Sequence, residues 1–244
     1  IGNYDSNLFI TTRYKGQIRQ TPFYVTITNH DIFNPLLVET PNNLEFLIND
    51  NNNWTIKKGN WNINNPIVVN GNLKIEEGTS LNFGNDAYLI VQGYLFSIGT
   101  EKDKINLSSQ YDSWKGLYVL NSPIESKLIN TSITNVKSVS DGILNLTGGV
   151  TFYNADVFME NVRLSNGYDE DLLNIVNSKF NFNNLLVSGS ISDAIDFDFS
   201  EGKINNIELF DIYGDALDFS GGKSIIQNAN IYEVKDKAIS AGEE

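Results

Sequence analysis

Asp171-Leu-Leu-Asn-Ile-Val176, Asp193-Ala-Ile-Asp-Phe-Asp198 and Asp215-Ala-Leu-Asp-Phe-Ser220 superimpose without a gap at a spacing of 22 residues, and Lys237-Ala-Ile-Ser-Ala-Gly242 follows at the same interval. A fixed period in the twenties marks a solenoid, in which each repeat is one coil stacked on the last. Within each copy the residues alternate. Leu173/Ile175, Ile195/Phe197, Leu217/Phe219 and Ile239/Ala241 fall on one side, and Asn174/Val176, Asp196/Asp198, Asp218/Ser220 and Ser240/Gly242 on the other. That is strand periodicity with the apolar side inward, so the repeat predicts both the fold and the side chains that line up outside.

The composition bounds the rest. The chain has 244 residues, 41% of them hydrophobic, which argues for a folded chain, and a solenoid can run this long as one unit. A net charge of −13 spread along the chain disfavours nucleic acid and anionic membrane as partners. No run approaches the roughly 18 apolar residues of a membrane span, so membrane insertion is not expected. Without cysteine there is no disulfide framework, thiolate metal site or cysteine nucleophile. Ile1 is neither a start methionine nor part of a signal peptide, which predicts a processed or excised piece.

No apolar stripe of helical spacing spans three turns, so little helix is expected. From about Asn65 short strands follow one another, punctuated by Gly71, Gly78, Gly84, Gly93 and Gly99. Corners of this kind need residues that tolerate positive φ, which gives a structural reason for asparagine at about one residue in seven. Coils are expected from about residue 66, seven to eight in all. The longer coil at 140–167 carries Asn145-Leu-Thr-Gly-Gly at an extended corner. Residues 1–55 lack the pattern and are expected to form an N-terminal cap or the remnant of a preceding domain. Residues 56–244 are expected to form the parallel β-helix, right-handed by the rule for parallel crossovers and truncated inside a coil at its C-terminal end.

Two runs carry a family resemblance. Gly71-Asn-Leu-Lys-Ile-Glu-Glu-Gly-Thr-Ser-Leu-Asn-Phe, with Leu89-Ile-Val-Gln-Gly-Tyr-Leu and Trp114-Lys-Gly-Leu after it, resembles the first coils of bacterial right-handed parallel β-helices of the pectate-lyase-like superfamily. Asp141-Gly-Ile-Leu-Asn-Leu-Thr-Gly-Gly, Gly214-Asp-Ala-Leu-Asp-Phe-Ser-Gly and Asp236-Lys-Ala-Ile-Ser-Ala-Gly-Glu are similar to the β-helix region of spore-coat-H-like kinase proteins. The resemblance covers residues 60–244 and implies an all-β solenoid and an extracellular or cell-surface setting on a bacterium or phage. It implies no kinase activity, because no phosphate loop or kinase metal motif is present.

The outward column Asn174–Asp196–Asp218–Ser240 is the best candidate site. Stacked coils bring equivalent side chains about 4.8 Å apart, with Asp198 two residues along and Glu170, Asp171, Asp193 and Asp215 at the preceding corner. Like charges this close favour a bound cation, a retained proton or screening by water. Asp196, Asp198 and Asp218 are therefore the candidate ligands for Ca2+, with Asn174, Asp193, Asp215 and Ser240 as further ligand-binding groups. In a catalytic reading the same three aspartates flank a glycosidic bond, and Lys237 is the nearest conceivable base for a lyase. Uronate lyase chemistry is disfavoured, since the arginines sit away at Arg13, Arg19 and Arg163 and the surface is acidic. His30, the sole histidine, reads as a turn or surface residue, and Trp54, Trp61 and Trp114 read as packing.

Three functions follow from this pattern. The leading one is a non-catalytic surface module that presents a rigid face to a glycan or protein partner. The second is a polysaccharide hydrolase or lyase built on Asp196, Asp198 and Asp218. The third is a stalk or assembly component whose copies associate through the uncapped C-terminal end.

Overall fold

The computed structural model describes residues 8–23, 34–38, 40–41 and 44–242. Two compact units part between Ile32 and Phe33. The first contains an antiparallel hairpin, Leu8–Tyr14 with Gln17–Phe23, turned at Lys15-Gly16, both at positive φ as a two-residue hairpin loop requires. His30 lies outside the described residues.

The second unit is an all-β solenoid of about nine turns with parallel stacked coils, against the seven to eight expected. Its strands form three parallel ladders, here faces A, B and C. Face A stacks Asn53–Ile56, Asn72–Ile75, Leu95–Ile98 and Ser126–Ile129, then continues through the long strands that follow. Face B stacks Asn60–Ile63, Ser80–Phe83, Ile105–Ser109 and Thr131–Val136 before joining the same long strands. Face C runs through Ile67–Val69, Leu89–Val91, Leu117–Leu120, Gly148–Tyr153, Asp171–Val176, the starts of Asp193–Ile212 and Leu217–Val234, and Ser240–Ala241. The first coil, Asn53–Val69, escapes the sequence pattern because asparagines crowd its outward positions. The only helical turn among the described residues is a 3-10 turn at Pro35–Leu37.

Alternation puts Leu, Ile, Val and Phe of all three faces inside, where most are fully buried. The inner side chains stack rung on rung. Phe197 and Phe219 lie 4.8 Å apart and nearly parallel, and Phe83 and Trp114 lie 4.0 Å apart in the same manner. Ile239 is half exposed in the last described coil.

Asparagine makes the corners. Between faces A and B, Asn130, Asn161, Asn184, Asn206 and Asn228 occupy successive coils, all with φ between 46 and 55°. The C-to-A corner holds Asn121, Asn154, Asn177, Phe199 and Gly221, again all left-handed. Amide side chains bond along these columns, as in Asn154 Nδ2 to Asn121 Oδ1 (3.0 Å) and Asn184 Nδ2 to Asn161 Oδ1 (3.1 Å). One side chain thus supplies both the tolerated dihedral and the bond to the next coil. Gly116 is stricter, because at φ +78° an added β-carbon would lie 1.9 Å from the backbone oxygen of Gly149. No rotamer relieves that clash, so Gly116→Ala is expected to cost about 3 kcal/mol or more in urea unfolding.

Face C carries a second apolar layer on its outer side. Val68, Ile90 and Tyr118, which point away from the core, join Tyr88, Leu120 and Val139 in a buried cluster. Two segments cover it. Leu36 and Val38 come from the stretch before the first coil, and Leu144 and Leu146 from the hairpin Ser140–Asp141/Leu144–Asn145. Thr40 ties the first segment down through bonds of 2.8 Å to both backbone groups of Val68. The column turns polar at Thr151 but stays buried there and at Asn174, 1% and 4% exposed, and it opens only from Asp196 onward.

Candidate functional site on face C

The later coils present the outward column Thr151–Asn174–Asp196–Asp218–Ser240, in the register expected from the repeat. Beside it runs Tyr153–Val176–Asp198–Ser220. The covering hairpin stands at one end of this floor, where Thr147 works against the burial that raises the Asp171 carboxyl.

Asn174 organises the carboxylates. Its amide nitrogen donates to Asp196 Oδ2 at 3.0 Å and to Asp198 Oδ2 at 3.2 Å, so one neutral group holds two carboxylates together. Asp196 Oδ1 is buried without a hydrogen-bond partner. Burial first, then the negative charges of Asp171, Asp198 and Asp218, push the Asp196 carboxyl up to about 8. Burial likewise dominates at Asp171, with Glu170, Asp193 and Asp198 adding repulsion, and raises that group to about 7. The site therefore holds protons at pH values where ordinary aspartates are ionised. Among the described residues no group of three or more acidic, histidine or cysteine side chains is placed to hold a metal ion. The Asn174 amide does part of a cation's work there.

The corner column Asp171–Asp193–Asp215–Lys237 serves the fold. Asp193 Oδ1 accepts the Asp215 backbone N–H at 2.7 Å, and Asp215 Oδ1 accepts that of Lys237 at 2.9 Å, each bond tying one coil to the next. The Lys237 ammonium sits 3.0 Å from Asp215 Oδ2 and 3.3 Å from Asp236. Burial alone would raise Asp215, but the side chain and backbone of Lys237 and the Ser240 hydroxyl outweigh it and hold the carboxyl below its ordinary value. The hydrogen bonds that the Lys237 ammonium donates to Asp215 and Asp236 raise Lys237 in turn. An amine kept charged in this way does not suit the lyase base considered for it. Asp193 and Asp215 thus spend much of their bonding capacity on neighbouring coils, while Asp198, Asp218 and Ser240 remain partly exposed.

Aromatic side chains that the sequence alone left without a pattern border this floor. Before face C stand Tyr168 and Tyr213, 41% and 60% exposed, with the aliphatic Ile191, 56% exposed, on the coil between them. Beyond it come Tyr153 and, at the C-to-A corner, Phe199, 42% and 74% exposed. The signal was available at the 22-residue interval: Ile191 and Tyr213 repeat one register, and Phe199 takes the place of Asn177 and Gly221 in another. The tryptophans are elsewhere. Trp54 and Trp114 are buried in the core, and Trp61 packs on Phe46. Arg163 points outward on face B. Compared with protein-family models, with curated proteins and with solved structures, the chain shows no significant match.

Proposed function

We propose that the solenoid is a non-catalytic surface module that binds an uncharged glycan across the open coils of face C. The observation that carries this reading is a floor of partly exposed carboxyl and hydroxyl groups, Asp198, Asp218, Ser220 and Ser240, bordered by exposed rings, Tyr168 and Tyr213 on one side and Tyr153 and Phe199 on the other. A sugar matches that pattern, with C–H faces for the rings and hydroxyls for the floor. The acidic floor and the net charge of −13 select against polyuronates. The motif resemblance of residues 60–244 to bacterial β-helix regions, which no family or structure match accompanies, is what suggests an extracellular or cell-surface setting.

The hydrolase reading has one observation in its favour: Asp196 keeps its proton near neutrality with Asp198 bound to the same amide. Against it, one oxygen of Asp196 is buried and the other is engaged by Asn174, so neither is offered to a glycosidic oxygen. Binding without turnover is the better fit.

Calorimetry against a panel of neutral polysaccharides, with reducing ends assayed in parallel, tests this reading. Saturable binding without new reducing ends is expected. Tyr213→Ala should weaken the binding about tenfold, the share of one stacked ring. Release of reducing ends that Asp218→Asn abolishes would establish the hydrolase instead.

A further inference from the structure

Resting on the glycan reading, we propose that Phe199 is a stacking platform for one pyranose ring and is kept in place at a backbone cost. Four of the five residues in its corner column are asparagine or glycine, which adopt left-handed dihedrals readily; Phe199 sits there at φ +50°. A bulky aromatic in that conformation is strained, and 74% of it faces solvent, so the core gains little from it. Strain without a packing return concentrates where a side chain serves a ligand.

The surroundings define the ligand's chemistry. Phe199 borders an open recess of about 300 Å³ whose other walls are Asp156, Asn177, Ser178, Lys179 and Glu201. The ring leans over the next corner, where a β-carbon on Gly221 would lie 3.1 Å from Phe199 Cδ1. The glycine leaves room for the ring. An apolar peptide side chain would want apolar walls, and this recess offers only the one ring. A small anion would meet Asp156 and Glu201, and a cation would meet Lys179. A neutral ligand with one apolar face and a rim of donors and acceptors suits all the walls, as a hexose unit does. Asp198 precedes Phe199 in the chain, so such a ring would continue the glycan path from the floor of face C.

The test sets stability against binding. Phe199→Asn restores the column residue, and its melting temperature should rise by roughly 2–4 °C. Its affinity for the polysaccharide bound by the wild type should fall about tenfold. Phe199→Trp should keep the affinity and report the ligand by a change in fluorescence. Unchanged affinity in Phe199→Asn overturns the platform and leaves the glycan reading standing. A fall in melting temperature for Phe199→Asn also overturns it, since the ring would then be structural. A wild type that binds no polysaccharide in the panel removes the glycan reading, and the platform with it.

Discussion

Phe197→Ala is expected to lower stability by about 3–5 kcal/mol, read from the urea midpoint at constant slope. Phe197 is fully buried, its ring stacked on Phe219 at 4.8 Å and packed on Phe180 at 4.4 Å. Truncation leaves a cavity that rigid coils above and below cannot fill, because ladder hydrogen bonds fix their spacing. Asp196 and Asp198 flank Phe197 on the same strand, so a shift there moves the carboxylates that Asn174 holds. Phe199→Ala is the control. Two residues away and 74% exposed, it should cost less than about 1 kcal/mol, or stabilise slightly by relieving crowding at positive φ. A Phe197→Ala loss no larger than that of Phe199→Ala would mean that the apolar alternation does not hold this stack together.

The contrast between those two phenylalanines marks how far the sequence could be read. Period-2 alternation places Ile195 and Phe197 inward and Asp196 and Asp198 outward, as found, and it would carry Phe199 inward as well. The chain turns at Phe199, so alternation fails there, and only the column Asn177–Phe199–Gly221 reveals the corner. The carboxylate floor was legible because its register follows directly from the 22-residue spacing. What the carboxylates do with their oxygens was not, since Asp193 and Asp215 bond backbone N–H groups of the following coil, a partner that one strand's pattern does not show. The covering hairpin was legible only as a long coil. That it folds back over Ile90 and Tyr118 depends on outward apolar residues far away in the chain. The coil Asn53–Val69 was hidden by polar composition, because an outward asparagine looks the same in a strand and in a loop.

Asp196→Asn is expected to stabilise the protein in alkaline solution and to do little in acid. The folded Asp196 carboxyl titrates at about 8, raised by burial and then by Asp171, Asp198 and Asp218, against about 3.9 for an unfolded aspartate. Between those values the folded chain holds a proton that the unfolded chain has released. Stability therefore falls as pH rises through roughly 4 to 8, and levels off above. Asparagine keeps the shape and the acceptor for Asn174 Nδ2, gives the adjacent carboxylates a donor, and removes the charge. Discounted for the partial exposure of Asp196, the gain at pH 8.5 should be about 2 kcal/mol, or roughly 4–8 °C in melting temperature for a chain of this size. At pH 5 the difference should shrink to about 1–2 °C, and it should vanish below about pH 4, where the wild-type carboxyl is protonated in the folded and the unfolded chain alike. Asp171→Asn should behave in the same way with its window ending near pH 7. Thermal scans from pH 5 to 9 decide the matter. An Asp196→Asn curve parallel to that of wild type would show that Asp196 is as free to ionise as any exposed aspartate, and the proton held on face C would have to be given up.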